Sequence, residues 1–219
     1  MQLPSDLLTY FDEIQSGDFK NHTEAGVHLL NRDEVAAITD LMEYHPLVGG
    51  LQGIVLDDPN TSNHHVYLRQ QPFSGYILYL AHDDDTRIVF QSLNDFLRSV
   101  KLAIVQEDNL CDLHPQCSPL VTDQSALCAL IEKDLALNLE NELTFASIPS
   151  LDLNNLPLLQ KLANSDDFFL GEAVAREICK RPNESLRAIA ELCSRHPHPQ
   201  VANAGRHALA SIQRVAFAK

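Results

Sequence analysis

Five aspartates stand in two short runs, Asp57-Asp58 and Asp83-Asp84-Asp85. Carboxylate oxygens grouped in this way suit a hard cation such as Mg²⁺ or Ca²⁺. Asp also tolerates turn dihedrals, so the same runs fit acidic hairpin turns, with Arg87 at hand to neutralise one of them. A third use is electrostatic. If both runs lie on the same side of one sheet, the five carboxylates form a patch that docks a basic partner. Cys111, His114 and Cys117 are zinc-type ligands, but their spacing is not that of a usual finger. Pro115 sits between two of them, and a fourth ligand would be needed, so a connector loop is the better description. His64-His65 adjoins an apolar run at Val66. Neighbours on a strand face opposite ways, so the pair is expected at a loop edge and not acting together. There is no P-loop, nucleophile elbow, zincin helix or dinucleotide fingerprint. Gly49-Gly50-x-x-Gly53 is too short for a phosphate cradle. The expectation is therefore a protein without catalytic residues, cofactor or metal, whose candidate partner-binding residues are Asp57, Asp58, Asp83, Asp84 and Asp85.

The elements that carry these residues centre on Gly75–Val100. Gly75–Ala81 is apolar at both alternating sets, Tyr76, Leu78 and Leu80 against Ile77, Tyr79 and Ala81. That is the pattern of a strand buried on both faces. His82–Asp85 is a short polar turn, and Thr86–Gln91 returns as a second strand. Ser92 three residues before Asp95 resembles a capping box, and Leu93, Phe96, Leu97, Val100 and Ile104 make one helical stripe. Upstream, Pro4 opens a helix with Leu7, Leu8, Phe11 and Ile14, ended at Gly17. Val27–Leu30 is a short strand candidate. Asn31 and Glu34 cap a second helix that stops near His45-Pro46. Val48-Gly49-Gly50 is a predicted turn. Gly53–Leu56 and Val66–Leu68 are strands around the polar loop 57–64. Short loops between successive strands imply antiparallel pairing in an α+β layer structure.

Beyond the connector 105–121, Thr122 is placed to cap a helix through Leu127, Leu130, Ile131 and Leu135. Asn141–Asn154 is expected to be a loop, with Thr144–Ile148 extended. The remainder is helical in four segments, Leu156–Ala163, Phe168–Lys180, Ser185–Ser194 and Pro199–Val215. An internal repeat at an offset of 31 aligns Leu158 with Ile189, Leu162 with Cys193, Leu170 with Val201, Ala173 with Ala204 and Ile178 with Leu209. This is the signature of HEAT-like helical hairpins, about 155–215. Two repeats are fewer than the about three that stand alone, so the segment is expected to dock on the first domain. The predicted domains are 1–121, α+β, and 122–219, a helical extension.

The chain has 219 residues and a net charge of −14, with pI about 5.0. The charge is uneven: residues 1–167 hold 8 Lys and Arg against 26 Asp and Glu, and residues 168–219 hold 8 against 4. An acidic body repels nucleic acid and anionic membrane and attracts basic partners. The five cysteines are an odd number, three of them in helical patterns, as in a reduced cytoplasmic protein. The first residues lack a basic region and a long apolar run, unlike a signal peptide. No apolar stretch approaches the ~18 residues of a membrane span.

Leu3-Pro4 with Leu7, Leu8, Tyr10 and Phe11, then Gly26–Leu30 leading to Glu34 and Ile38, then Gly75–His82 and Arg87–Leu97, together resemble the SUKH superfamily. This group includes the fungal cell-wall assembly and glucan-synthesis regulators (SMI-KNR type). The resemblance spans about residues 3–102. The chain departs from the family in having no Trp, where a Trp-Gly pair is common, and in its helical extension. The resemblance implies a non-enzymatic protein-binding module: an immunity protein that neutralises a toxin, or a regulator and adaptor. It transfers no individual functional residue. Two other readings follow from the residues alone. One is nucleic-acid binding through Arg176, Lys180, Arg181, Arg187, Arg195, Arg206 and Arg214 of the basic tail. The other is a metal-dependent enzyme at the aspartate runs.

Overall fold

The computed structural model describes residues 4–58, 61–82, 86–137 and 141–217. The chain divides into two compact units, Met1–Pro119 and Leu120–Lys219. Among the described residues, no helix is long and apolar enough to cross a membrane.

The first unit is α+β. Helix α1 (Ser5–Ser16) follows Pro4 and buries Leu7 and Tyr10, and the N–H of Gly17 closes it on the Glu13 carbonyl. Helix α2 (Arg32–Met42) has a complete capping box: Asn31 accepts from the Asp33 and Glu34 amides, and Glu34 accepts from the Asn31 amide. Lys20 donates to both Glu34 oxygens at 2.7 Å, and this bond, first among the causes, lowers the Glu34 pKa. Val48-Gly49-Gly50, the predicted turn, is instead the end of a short helix α3 (Pro46–Gly50). Pro46 starts that helix, and the His45 ring accepts the Leu47 amide at 3.3 Å. A Cβ on Gly49 would stand 2.5 Å from the Glu43 carbonyl oxygen, so the glycine here serves a close backbone approach.

Among the described residues four strands follow, β1 (Ile54–Val55), β2 (His64–Tyr67), β3 (Ile77–Leu80) and β4 (Arg87–Phe90), in an antiparallel sheet of order β1-β2-β3-β4. All four residues of β3 are buried, as the unbroken apolar run predicts for an interior strand. The strand expected at Val27–Leu30 is a pair of bridges, His22 to Val27 and Leu29 to Asp57, which lays residues 28–30 beside residues 56–58. Helix α4 (Leu93–Gln106) starts at Ser92, whose hydroxyl accepts the Asp95 amide, and buries Leu93, Phe96, Leu97, Val100 and Ala103.

The second unit is helical. Helix α5 (Gln124–Leu137) takes its first-turn hydrogen bond from Asp123, which accepts the Ala126 amide, not from the predicted Thr122. The segment expected to be loop and extended chain is helix α6 (Glu142–Ser147) followed by a 3₁₀ turn at Ile148–Ser150. A helix start leaves amides unpaired, and here Asp134 of α5 accepts both the Thr144 amide and its hydroxyl, at 3.1 and 2.7 Å. The cap thus comes from a neighbouring helix and is invisible in the local sequence.

Helices α7 (Leu156–Ala163), α8 (Phe168–Lys180), α9 (Arg187–Ser194) and α10 (Pro199–Phe217) complete the unit. The starts of α9 and α10 lie 31 residues after those of α7 and α8, the period of the sequence repeat. Leu158 and Ile189, Leu162 and Cys193, and Leu170 and Val201 are buried at matching positions. α10 crosses α9 with Gly205 at the contact, where a Cβ would meet the Ser194 amide nitrogen at 2.3 Å.

Candidate functional site

Of the predicted site residues, Asp57 and Asp58 lie within the described residues. Asp57 is 1% exposed, so its own carboxylate is not at the surface. The reason is its setting. It follows β1 and is bounded on one side by Leu29, through a bridge, and on the other by the start of β2. Asp58 is half-buried and its amide donates to the His28 carbonyl at 3.0 Å. Asp83, Asp84 and Asp85 lie outside the described residues. Arg87 donates to the Pro115 carbonyl at 2.7 Å and to the Ser118 hydroxyl at 3.5 Å.

What the structure assembles is a chain of three side chains, Asp57, His65 and His114. Asp57 Oδ1 accepts the His65 amide at 2.7 Å, and Oδ2 accepts the His65 Nδ1–H at 2.5 Å. A carboxylate only accepts, so Nδ1 carries a proton and His65 turns Nε2 away from Asp57. Nε2 meets His114 Nε2 at 2.9 Å, and that bond holds a single proton between two nitrogens. The His65 ring lies against Tyr79, Phe96 and Phe90 with centroid separations of 5.2, 4.9 and 6.3 Å. Tyr79 and Phe90 also flank His114, at 4.6 and 5.6 Å. In this apolar shell, burial first, then His65 and Arg87, push the His114 pKa down to about 3, and His114 stays neutral. His64 faces the other way, its Nδ1–H donating to the Asp57 carbonyl at 3.0 Å. The buried Tyr10 hydroxyl donates to the Leu56 carbonyl at 3.2 Å. Burial, and then the Asp57 charge, raise its pKa well above the ordinary value.

Chemically, this chain can hold or pass a proton along Asp57, His65 and His114. It resembles the first two members of a hydrolytic triad, but the position a nucleophile would take beyond His65 Nε2 is filled by His114. The Cys111 thiol, three residues before His114, donates to the Tyr79 hydroxyl at 3.1 Å. Cys111 and Cys117 are exposed, and none of the five cysteines is in a disulfide. Among the described residues, no three His, Cys, Asp or Glu side chains are grouped so as to hold a metal ion.

The sequence predicts a loop edge for His65; the structure instead places it in β2, paired with Asp57. The signal was available. Antiparallel β1 and β2 pair Ile54 with Tyr67 and Val55 with Val66, and that register carries on to bring residues 56–57 beside 64–65. His114 comes from the connector, 49 residues further on, and no local pattern announces it.

In the second unit, the basic side chains of the tail are mostly answered by acids one helical turn away: Arg176 by Glu172, Lys180 and Arg181 by Glu177, Arg187 by Glu184 and Arg195 by Glu191. Glu177 is 2% exposed, and Arg181 also donates to the Leu151 and Pro149 carbonyls. Comparison with protein-family models, with curated proteins and with solved structures returned no match.

Proposed function

We propose that the chain is a cytoplasmic, non-enzymatic protein-binding module that captures a basic protein partner. Its first unit is of the SUKH kind and its second is built of HEAT-like hairpins. The partner is a toxin, if the chain is an immunity protein, or the target of a cell-wall-assembly-type regulator. The observation that carries this reading is where the charge lies. Residues 1–119 hold 18 Asp and Glu against 6 Lys and Arg, a net of −12, while residues 120–219 hold 12 against 10, a net of −2. Such a field raises the rate at which a basic protein meets this unit. The internal pairing of the tail's basic groups counts against nucleic-acid binding as the second reading. The use of both Asp57 oxygens by His65 counts against a cation site spanning the two aspartate runs.

The test is affinity capture at low salt from the source organism, with mass spectrometry, followed by stopped-flow binding to the recovered protein. A basic partner is expected, with an association rate that falls with salt and with Asp83→Lys/Asp84→Lys. Recovery of no protein, or a rate indifferent to both changes, would sink the proposal.

A further inference from the structure

The outward face of α2 is open to solvent among the described residues. Its inner face is committed: Val35 is buried, and the Thr39 hydroxyl accepts the Val55 amide of β1 at 3.0 Å. Around the helix, Asp33, Ala36, Ala37, Asp40 and Leu41 are exposed, and Tyr44 continues the stripe just past the helix end. Leu41 is 69% exposed and Tyr44 is 81% exposed. A leucine and a tyrosine three residues apart, both this open, form an apolar spot, and the exposed Ala36 and Ala37 lie one helical turn before it.

The rim of this spot is acidic. Asp40 and Glu43 are exposed, and the last turn of α2 carries no basic residue. The carbonyl end of a helix is already negative, so carboxylates there work against the stability of the helix. Two carboxylates and the helix end therefore concentrate negative potential beside Leu41 and Tyr44. An apolar centre containing an aromatic, with charge at its edge, is the anatomy of a protein interface.

We propose that this end of α2 docks a basic amphipathic helix of a partner protein. Its apolar side chains cover Leu41 and Tyr44 and pack along Ala36 and Ala37, and its Lys and Arg residues meet Asp40 and Glu43. The inference rests on the reading of a basic protein partner and adds where that partner is held.

The test titrates the ¹⁵N-labelled full chain with a synthetic helical peptide of Leu and Lys in amphipathic order, at low salt. Amide shifts are expected to concentrate between Ala36 and Tyr44. Tyr44→Ala and Asp40→Lys/Glu43→Lys are each expected to weaken binding about tenfold, the scale of a moderate interface residue, with melting temperatures that show an intact fold. Shifts concentrated elsewhere would overturn the α2 surface and leave the basic-partner reading standing. No binding at low salt would overturn both. Concentration-dependent shifts on α2 without peptide would mean that a second copy of the chain occupies the face, and would also overturn the proposal.

Discussion

Asp57 and His65 are a charged and a chargeable group held in an apolar interior, at 1% and 3% exposure. Each depends on the other, because removing one partner of a buried pair leaves the survivor desolvated and uncompensated. Asp57→Ala is accordingly expected to lower unfolding stability by about 3–5 kcal/mol, a large share of what holds a domain. Urea denaturation measures this, and a change within error of zero would mean that the pair contributes nothing. His114 makes a prediction about pH. Its pKa in the folded protein is about 3, below the ordinary 6.5, so the unfolded chain binds the extra proton first. Its contribution to stability is fully present above about pH 6.5 and is lost progressively as the pH falls toward about 3. Between about pH 7 and pH 5 that loss amounts to about 2 kcal/mol. His114→Gln, which cannot titrate, is expected to flatten this part of the stability profile; an unchanged slope would show that His114 protonates without cost in the fold.

The hairpin of β3 and β4 with α4 is where local pattern and tertiary role agree. Leu78 lies in β3, between β2 and β4, with no exposed surface. Leu78→Asp places an unpaired charge there, and loss of soluble folded protein is expected, judged by expression and circular dichroism. In the second unit the corresponding test is Gly205→Ala. The new methyl would stand 2.6 Å from the Cys193 carbonyl carbon and 2.8 Å from the Ser194 Cα, both rigid backbone, so α9 and α10 must separate. The expected cost is about 1–3 kcal/mol in thermal unfolding. An alanine tolerated without loss would show that the two helices have slack. The 31-residue repeat was legible because matching buried positions recur at helical spacing. α6 was not legible, because its start is completed by Asp134 from another helix while Thr144 by itself favours extended chain.

Net charge acts on the chain as a whole. At −14, most of it on residues 1–119, self-repulsion opposes compactness at low ionic strength. Raising NaCl from about 10 mM to about 150 mM shortens the Debye length to about 8 Å and screens that repulsion. The melting temperature is expected to rise by a few degrees, measured by calorimetry. A fall would mean that attractive ion pairs, such as Lys20 with Glu34 and Lys101 with Glu13, outweigh the repulsion.

Periodicity and capping chemistry are local, and they alone determined the helices from Pro4 and Asn31, the interior strand at Ile77–Leu80, the Ser92 cap and the four tail helices. Composition alone determined the acidic character and its uneven distribution. Only tertiary structure decided the fate of the charged residues. Asp57 looks like turn chemistry in sequence, because an aspartate beside a proline-containing polar loop has no local reason to be buried. It is buried because residues 28–30 close over one side of it and β2 over the other, and because His65 supplies the proton that makes burial tolerable. His114 completes that arrangement from 49 residues away. Hydrogen bonds between distant segments follow from which surfaces must meet to exclude water, and no window of sequence contains that information.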